Sequence, residues 1–473
     1  MTNKKFYITT AIDYVNARPH IGHAFEKIIA DTLARYKKQK GEKVFFLTGT
    51  DENAQKNAQV AKEEGLDVQK FVDRNSKYFI ELCDLLNVDY DRFIRTTEKE
   101  HRKIAQDLFK KVYDKGEIYQ GKYEGWYCVG CEAFITEKDL VDGKCPEHNK
   151  KPEWISEDSY FFKLSKYKTK LIKFVKDYIV PKSRRNEILA RLENEELKDL
   201  CVARANLDWG IDCPVDNKYK IYVWFDALIN YISGADGNWP ADVHIVGKGI
   251  NWFHSVIWPA MLMSLGEKLP KKLFVHSYIN IKGQKMSKSI GNVIDPVALA
   301  KKYGADSLRY ALLRGSVFDD FDFSEDILIQ RHNEELANKL GNLVSRVAGL
   351  IEKNGVEKCE CEFLNRSLIE NANPKKTDLI RNSRLKLIEI YMENFEFDKA
   401  LNEIFAFVDL CNEYVQKTQP WKSKDKKVLY ELKECILKIA DLLWPFIPDT
   451  CEKIKKQFSS KNIIKGEVLF GKI

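Results

Sequence analysis

The sequence has no long apolar run, and this absence excludes one class of protein. No window of the 473 residues approaches the length of about 18 apolar residues that a membrane-spanning helix needs. A signal peptide is not predicted either, because the start, MTNKKFYITTAIDY, lacks an apolar core and a small-residue cleavage site. The 11 cysteines are odd in number and scattered, unlike a disulfide framework. A reducing, cytoplasmic location is therefore expected, in which clustered cysteines indicate a metal site.

A strong excess of charge of one sign is also missing. Lys and Arg number 77 against 70 Asp and Glu, which gives a formal charge of +7. Over this length, such an excess permits a polyanionic partner without demonstrating one. Apolar residues make up 44% and charged residues 31%, a globular balance that excludes a wholly disordered chain. The length predicts about two to four domains.

The order of elements at the N-terminus predicts an α/β domain. A β-rich run at Phe6–Ile12 is followed by apolar residues at helical spacing in Ala24–Lys40, and Lys43–Leu47 resumes a strand. Such a β-α-β unit implies parallel strands and a Rossmann-like sheet. Residues 54–115 are predicted to be mainly helical.

The pattern then changes twice. From residue 116 the chain is rich in cysteine, glycine and tryptophan with little periodicity, which indicates an insertion. The α/β pattern returns with Lys220–Phe225, Val243–Val246 and Lys272–Ile279, and long amphipathic segments predict a mostly helical C-terminal domain. The predicted domains are 1–115 and 211–275 for the two halves of a Rossmann-like domain, 116–210 for the insertion, 276–335 for the region that follows, and 336–473 for the helical bundle.

The first motif with a chemical role lies between the first strand and the first helix. It reads Pro19-His20-Ile21-Gly22-His23. A helix N-terminus beyond a strand presents free N–H groups to phosphate, Gly22 permits close backbone approach, and two imidazoles can donate to phosphate oxygens. Loop histidines of an unrelated fold are the alternative, and the motif alone leaves both interpretations open.

The second motif lies in the region after the α/β domain. It reads Lys285-Met286-Ser287-Lys288-Ser289. Gly283 and Gly291 flank it, and two ammonium groups with two hydroxyls can neutralise a triphosphate as charge moves onto the leaving pyrophosphate. A solvated basic turn is the alternative.

Together the two motifs resemble HIGH and KMSKS of the class I aminoacyl-tRNA synthetases, both without substitution. The resemblance implies an α/β, Rossmann-like catalytic domain split by an insertion, a stem-contact region at 276–335, and a helical anticodon-binding domain at 336–473. It implies formation of an aminoacyl adenylate from ATP, accompanied by magnesium, and transfer to the 3′-terminal ribose of tRNA. The implied catalytic residues are His20, His23, Lys285 and Lys288, and the implied ATP-binding residues are these four with Gly22 and Ser287.

Three further segments are similar to the methionyl enzymes of this class, which charge tRNA for initiation and elongation. They are residues 11–19, 223–231 and 252–260. The implied methionine-binding residues are Ile12, Tyr14, Asp51, Trp224, Ala227, Leu228, Tyr231, Ile250, Phe253 and His254. Asp51 is implied to hold the substrate ammonium. Aromatic walls with a Tyr or His polar group suit a polarizable thioether, although without the resemblance Trp224, Tyr231 and Phe253 are interpreted as core aromatics.

Two short ligand pairs in the insertion have the spacing of a zinc knuckle. The four candidates are Cys128, Cys131, Cys145 and His148. Gly130 and Gly143 allow the tight turns, and four protein ligands indicate a structural site rather than a catalytic one. The spacing matches the single-knuckle bacterial methionyl enzymes, in which this insertion lies over the tRNA acceptor end. A chance cluster is the alternative.

In the helical domain, Asn342 and Arg346 stand four residues apart on one predicted helix face, and Trp421 follows Pro420. The family's matching residues read the CAU anticodon, since an indole stacks on a base while Asn and Arg bond base edges. Without the resemblance, Trp421 is interpreted as a core residue and the pair as a solvated face. The sequence ends at Ile473 without the appended OB-like domain of some relatives, so a monomer is expected.

The sequence departs from the family pattern in two places. Gly249 stands where the family usually has Asp, which puts one nucleotide contact in doubt. Asn53 and Ala54 stand where His and Gly are usual after the Asp51-Glu52 pair.

Three alternative functions are weighed against this interpretation. A class I synthetase for another aliphatic amino acid is disfavoured because the insertion is too short for a large editing domain. A HIGH-type nucleotidyltransferase without tRNA leaves the helical C-terminal domain without a role. A zinc-dependent RNA-binding protein without catalysis leaves HIGH and KMSKS unexplained.

Overall fold

The computed structural model describes residues 4–128, 133–135, 137–146, 149–205, 207–285, 293–369 and 383–473. Two compact units make up the chain. The first unit contains Met1–Pro19, Gly41–Leu82 and Asp89–His276, and the second contains His20–Lys40, Cys83–Val88 and Ser277–Ile473. Within the described ranges, no helix is long and apolar enough to cross a membrane.

The strands and helices are numbered in chain order. The strands are β1 (Lys5–Thr10), β2 (Asp13–Tyr14), β3 (Lys43–Asp51), β4 (Arg92–Arg95), β5 (Ile118–Cys128), β6 (Ala133–Ile135), β7 (Glu153–Phe162), β8 (Ile179–Val180), β9 (Leu200–Ala205), β10 (Tyr219–Ile221), β11 (Val243–Gly247), β12 (Leu273–His276), β13 (Ile279–Ile281), β14 (Gln284–Lys285) and β15 (Phe321–Asp322). The α-helices are α1 (Ile21–Gln39), α2 (Gln55–Glu63), α3 (Val68–Leu85), α4 (Lys99–Asp114), α5 (Lys168–Tyr178), α6 (Lys182–Asn194), α7 (Val223–Ser233), α8 (Trp258–Leu265), α9 (Pro296–Tyr303), α10 (Ala305–Leu313), α11 (Glu325–Arg331), α12 (Asn342–Asn354), α13 (Glu362–Ile369), α14 (Arg384–Glu393), α15 (Phe397–Thr418), α16 (Pro420–Ser423), α17 (Lys426–Leu443) and α18 (Pro448–Phe458).

The first unit is built on a parallel sheet of seven strands. Its order is β2-β3-β1-β11-β12-β8, and β4 also pairs with β3. Ile8, Phe46 and Ile245 are fully buried, as expected of strands that are covered on both faces. This sheet confirms the predicted α/β, Rossmann-like fold class. Because β1 lies between β3 and β11, the direction of strand order reverses there, and open α/β sheets bind ligands beyond the carboxyl ends of strands at such a point.

The first unit also contains an antiparallel sheet in the order β10-β9-β7-β5-β6. Its strands run from Ile118 to Ile221, so the last strand lies beyond residue 210, the predicted end of the insertion. Strand β8 lies within the predicted insertion and pairs with β12 of the parallel sheet. The domain boundaries stay predictions.

The second unit is mostly helical. It carries a small sheet in the order β14-β13-β15 and the helices from α9 to α18. The apolar stripes of α12, α15 and α17 are buried, as amphipathic helices in a bundle require. Helix α1, which follows β1 in the chain, belongs to this unit. The C-terminal helical domain is therefore confirmed as a fold.

Candidate active site

Several predicted methionine-binding residues lie at, or shortly after, the carboxyl ends of strands of the parallel sheet. Ile12 and Tyr14 follow β1, Asp51 ends β3, and Ile250 follows β11. Tyr14 and Asp51 are register partners where β2 pairs with β3. Asp51 is only 2% exposed. The carboxyl ends of neighbouring strands therefore bring these residues to one edge of the sheet, beside the reversal at β1.

Helix α7 supplies an apolar wall. The four predicted residues of this helix occupy positions i, i+3, i+4 and i+7, which lie on one helix face, and all four are buried. They are Trp224, Ala227, Leu228 and Tyr231. The Trp224 ring stacks on Phe253 with centroids 3.6 Å apart, and Tyr14 meets Trp224 edge-on at 6.3 Å. The structure therefore brings the three aromatic side chains together.

One polar pair is buried beside these rings. The Tyr231 hydroxyl lies 2.7 Å from Nε2 of His254, and Nδ1 of His254 lies 3.0 Å from the Ile250 carbonyl. A carbonyl only accepts, so Nδ1 carries the hydrogen and, in the neutral ring, Nε2 accepts from Tyr231. His254 lies on a π-helical turn, Phe253–Ile257, a local distortion that often aims a side chain at a functional site.

A second buried histidine lies behind Tyr231. His244 is fully buried, its Nδ1 lies 2.7 Å from the Thr9 hydroxyl, and its Nε2 accepts from the Trp258 indole at 3.3 Å. Burial, and then the nearby His254, lower the pKa of His244 well below its usual value. A neutral ring therefore supports Tyr231, whose ring centroid lies 4.3 Å away. His244 is not predictable as a site residue from the sequence, because a histidine within an apolar strand gives no local signal of its role.

The loop after β3 is held by buried polar contacts that the sequence did not predict. Glu52 is fully buried and accepts two hydrogen bonds from Arg95, at 2.7 and 2.9 Å. Asn53 donates to the Thr96 carbonyl and to Asp226 of α7, both at 3.0 Å. The departure at Asn53 is therefore accommodated by two specific partners, which fix the loop that follows Asp51. Gly249, the other departure, lies exposed in the turn Lys248–Ile250.

The HIGH motif begins helix α1 in the second unit. His20 is the N-cap, and its Nδ1 accepts from the Gly22 amide at 3.1 Å, while His23 Nδ1 accepts from the His20 amide at 3.0 Å. In the neutral rings, Nε2 therefore carries the hydrogen and is the atom that can donate to a phosphate oxygen. The expectation of free N–H groups at this terminus is wrong in part. The Gly22 amide is used in the cap, and the Ile21 amide donates to the Ile294 carbonyl at 3.1 Å.

The KMSKS motif follows a β-hairpin of the second unit. Strand β14 pairs with β13, and the turn between them has positive φ angles at Lys282 and Gly283. Glycine is favoured at position 283 because its φ is positive, and the Gly283 amide donates to Asp322 at 2.7 Å. Lys285 is the last residue of β14. The predicted residues Ser287 and Lys288 lie outside the described residues.

Two of the four predicted zinc ligands fall on described residues. Cys128 ends β5 and is 3% exposed, and Cys145 is 1% exposed. Cys145 follows a tight turn in which Gly143 has a φ of +71°, and its carbonyl accepts from the Asn149 amide at 2.8 Å. Cys131 and His148 lie outside the described residues, and the described ranges alone contain no group of three ligands that could hold a metal.

The three predicted anticodon-reading residues lie in the second unit. Asn342 and Arg346 are exposed on α12. Trp421 lies on the short helix α16 and is 42% exposed. The alternative interpretation of Trp421 as a core residue is therefore wrong, because nearly half of the side chain is open to solvent.

A parallel sheet with a reversal at β1, a HIGH helix and a KMSKS loop after it define the class I aminoacyl-tRNA synthetases. Residues 6–151 and 138–348 match the family model described as tRNA synthetases class I (M), and residues 381–469 match the anticodon-binding domain of tRNA ligase. The chain belongs to the methionyl family of this class, the methionine–tRNA ligases, which confirms the predicted family, reaction and enzyme class.

Individual relatives agree with the family match. The chain is 44% identical to a methionine–tRNA ligase of Caldanaerobacter subterraneus subsp. tengcongensis, over 96% of this chain and 74% of the relative. It is 41% identical to one of Thermotoga maritima, over 99% and 80%. Among solved structures, it resembles a Mycobacterium tuberculosis methionyl-tRNA synthetase in complex with methionyl-adenylate, with a TM-score of 0.89 at 36% identity over 96% of this chain and 94% of the other.

Proposed function

We propose that the residues at the carboxyl ends of β1, β3 and β11 form the methionine pocket of this ligase. The observation that carries the proposal is the buried pair Tyr231–His254 beside the stacked rings of Trp224 and Phe253. Apolar aromatic faces suit a polarizable thioether, and the hydrogen bond between Tyr231 and His254 fixes the wall beside it. The Asp51 carboxylate, at the end of β3, is a suitable partner for the substrate ammonium.

The proposed reaction has two steps and needs no protein nucleophile. The methionine carboxylate attacks the α-phosphate of ATP bound with magnesium, the bond to the β-phosphate breaks, and pyrophosphate leaves. The Nε2 hydrogens of His20 and His23 donate to phosphate oxygens, and the ammonium groups of Lys285 and Lys288 neutralise the departing pyrophosphate. The terminal ribose hydroxyl of tRNA then attacks the carbonyl of the adenylate and AMP leaves. Catalysis rests on positioning and charge stabilisation.

The proposed zinc ligands are Cys128, Cys131, Cys145 and His148. The donor set of three thiolates and one imidazole fits a closed tetrahedral zinc site, and burial of Cys128 and Cys145 fits ligands that face inward. When bound, zinc supplies cross-linking of the knuckle rather than chemistry at the substrate. The tight turn before Cys145 and the hydrogen bond from the Asn149 amide to its carbonyl support the proposed place of Cys145 in the ligand set.

The proposed tRNA contact is the anticodon. The exposed Trp421 indole offers a face for an unpaired base, and the exposed side chains of Asn342 and Arg346 offer hydrogen bonds to base edges. The match of residues 381–469 to an anticodon-binding domain supports tRNA as the partner. The monomeric state and the cytoplasmic location stay predictions from the sequence.

The test is ATP–pyrophosphate exchange without tRNA, run across the twenty amino acids. Methionine should drive exchange strongly and the others weakly. A branched side chain would clash with the aromatic walls, and such a misfit costs about 1–3 kcal/mol. Stronger exchange with another amino acid would reject the proposed pocket. Exchange with none would favour an adenylate-forming enzyme for another acid, or a non-catalytic RNA binder.

A further inference from the structure

Helix α1 carries buried charged residues as well as the HIGH motif. Asp31 is fully buried and Arg35 is 3% exposed, both beyond the middle of the helix. Buried charges are costly unless they are paired and hydrogen-bonded. The hydrogen-bond partners of Asp31 and Arg35 therefore identify the elements that hold α1 in place.

A single fully buried arginine of α10 is the main partner. Arg309 Nη2 donates to Asp31 at 2.6 Å and to the Pro445 carbonyl at 3.0 Å. Its Nε donates to the Phe446 carbonyl at 2.9 Å, and its Nη1 to the Leu86 carbonyl at 3.1 Å. One planar guanidinium thus ties α1 to the ends of α3 and α17 at the same time.

Carboxylates and backbone carbonyls together surround the two guanidinium groups of this cluster. Arg35 Nε donates to the same Asp31 oxygen at 2.8 Å, and Arg35 Nη2 donates to the Asn87 carbonyl at 2.7 Å. The two guanidinium groups share the Asp31 carboxylate, and the buried Asp306 carboxylate also interacts electrostatically with Arg309. The carbonyls of Leu86, Pro445 and Phe446 lie just past the ends of α3 and α17, where helix dipoles place partial negative charge.

The far end of α1 is attached to the anticodon-binding segment. Lys37 pairs with Glu393 at 2.6 Å, and Lys40, just past the helix, pairs with Glu389 at 2.5 Å. The Gln39 amide donates to the Asp441 carbonyl at 2.7 Å. These partners lie in residues 381–469, which match the anticodon-binding domain.

The near end of α1 contacts described residues that follow the KMSKS motif in the chain. The Ile21 amide donates to the Ile294 carbonyl, and the Phe25 ring meets Phe321 at 5.5 Å. The helix has 19 residues and so spans about 28 Å. One rigid element therefore connects the histidines proposed to bind ATP with the segment that matches an anticodon-binding domain.

We propose that α1 is a positioning rod that transmits anticodon binding to His20 and His23, and that Arg309 is the positioning residue that holds it to the helical domain. This inference rests on the proposed function. Anticodon binding at α12 shifts α17, against which α12 packs and which contacts the far end of α1. The packed cluster around Asp31 then carries the shift along α1 to the N-cap. Close-packed interiors transmit such displacements because they deform little.

The test compares aminoacylation of tRNA(Met) bearing the CAU anticodon with the same tRNA bearing a changed anticodon. The main variant is Arg309→Met, which leaves Asp31 paired with Arg35 and so strands no buried carboxylate. The ratio of kcat/KM for the two tRNAs should fall by about tenfold, while tRNA-free pyrophosphate exchange with methionine changes little. A merely structural role would lower all rates together and leave the ratio unchanged.

Two further variants keep the test decisive. Glu393→Gln weakens the half-exposed pair with Lys37 and should lower the ratio by about twofold in a protein of unchanged melting temperature. Arg384→Met is the matched control, because Arg384 is a buried arginine that pairs with Glu403 rather than with α1, and it should keep the wild-type ratio.

Three outcomes reject the proposal. If Arg309→Met folds and keeps the wild-type ratio, α1 does not act as a rod. If Arg309→Met does not fold and Glu393→Gln keeps the ratio, the conclusion is the same. If the wild type does not distinguish the two tRNAs while still charging them, the proposed anticodon contact itself is wrong, and the rod has no signal to transmit.

Discussion

Tyr231 and His254 lie 2.7 Å apart through the tyrosine hydroxyl and Nε2, and the pair is buried. The Ile250 carbonyl fixes the hydrogen on the other ring nitrogen. The direction of the bond is therefore set by the backbone after β11, and the orientation of both side chains depends on it.

Tyr231→Phe should weaken methionine binding. The change leaves His254 Nε2 buried without its donor, which costs about 1–3 kcal/mol, and the KM for methionine in pyrophosphate exchange should rise about tenfold or more. The control is Tyr178→Phe, a buried tyrosine whose hydroxyl has no hydrogen-bond partner among the described residues. An unchanged KM in Tyr231→Phe would mean that the pair does not orient the substrate.

Trp421→Ala should impair aminoacylation of tRNA without impairing adenylate formation. One base–aromatic stack contributes about 1–3 kcal/mol, so kcat/KM for tRNA should fall about tenfold. Ile464→Ala serves as the control, because Ile464 is another exposed apolar side chain of the second unit, 60% exposed. Equal loss of both steps in Trp421→Ala would assign Trp421 a structural role.

Lys288→Ala should slow adenylate formation more than it weakens ATP binding. The Lys288 ammonium is proposed to stabilise the negative charge that develops on the leaving pyrophosphate. Its stabilising contribution is therefore larger in the transition state than in the ATP complex. Pre-steady-state kinetics separate the two effects. Lys268→Ala, at an exposed lysine, is the control. Weaker ATP binding with an unchanged rate of the chemical step would contradict the role.

The purified protein should hold about one zinc ion per chain, measured by metal analysis. The Cys131→Ser variant should bind no zinc and should have a lower melting temperature, because a structural metal site contributes folding energy. Cys359→Ser is the matched control, a partly exposed cysteine outside the ligand set. A metal-free protein with full activity would reject the site.

His101 should make stability depend on pH. Burial, and then the neighbouring Arg102, lower the pKa of His101 to about 3. The unfolded histidine titrates near about 6.5, so the unfolded state binds a proton that the folded state does not, and stability falls as pH drops from about 6.5 toward 3.

His101→Gln should reduce that dependence. The slope of the free energy of unfolding against pH, measured by urea titration between pH 5 and 7, should decrease by up to about 1.4 kcal/mol per pH unit. Other buried histidines such as His244 keep part of the slope. An identical slope in the variant would show that His101 does not titrate abnormally.

The sequence pattern predicted the first strand and the first helix, but it failed at α7. The strand at β1 and the helix α1 were predicted within a few residues. The run Lys220–Phe225 was expected to resume the sheet pattern, but the strand ends at Ile221 and helix α7 starts at Val223. A segment buried on all sides has no polar face, so its apolar run does not distinguish helix from strand.

Short contiguous motifs were sufficient to predict the class of enzyme, because the residues of a phosphate-binding loop are adjacent in the chain. The resemblance at His20–His23 and Lys285–Ser289 therefore predicted the reaction correctly. The hydrogen bonding at the start of α1 was not predictable from the sequence. The Gly22 amide donates to His20 Nδ1 only because of the rotamer that the His20 side chain adopts at the N-cap.

The sequence by itself determined the fold class, the family and the residue types of the candidate site, because these depend on local spacing and apolar pattern. Only the tertiary structure decided which polar partners those residues meet. Asn53 finds Asp226 across 173 residues, and Asp31 finds Arg309 across 278. A buried charged or amide group needs a hydrogen-bond partner within about 3 Å. The fold determines which residue that partner is, and the local sequence pattern does not reveal it.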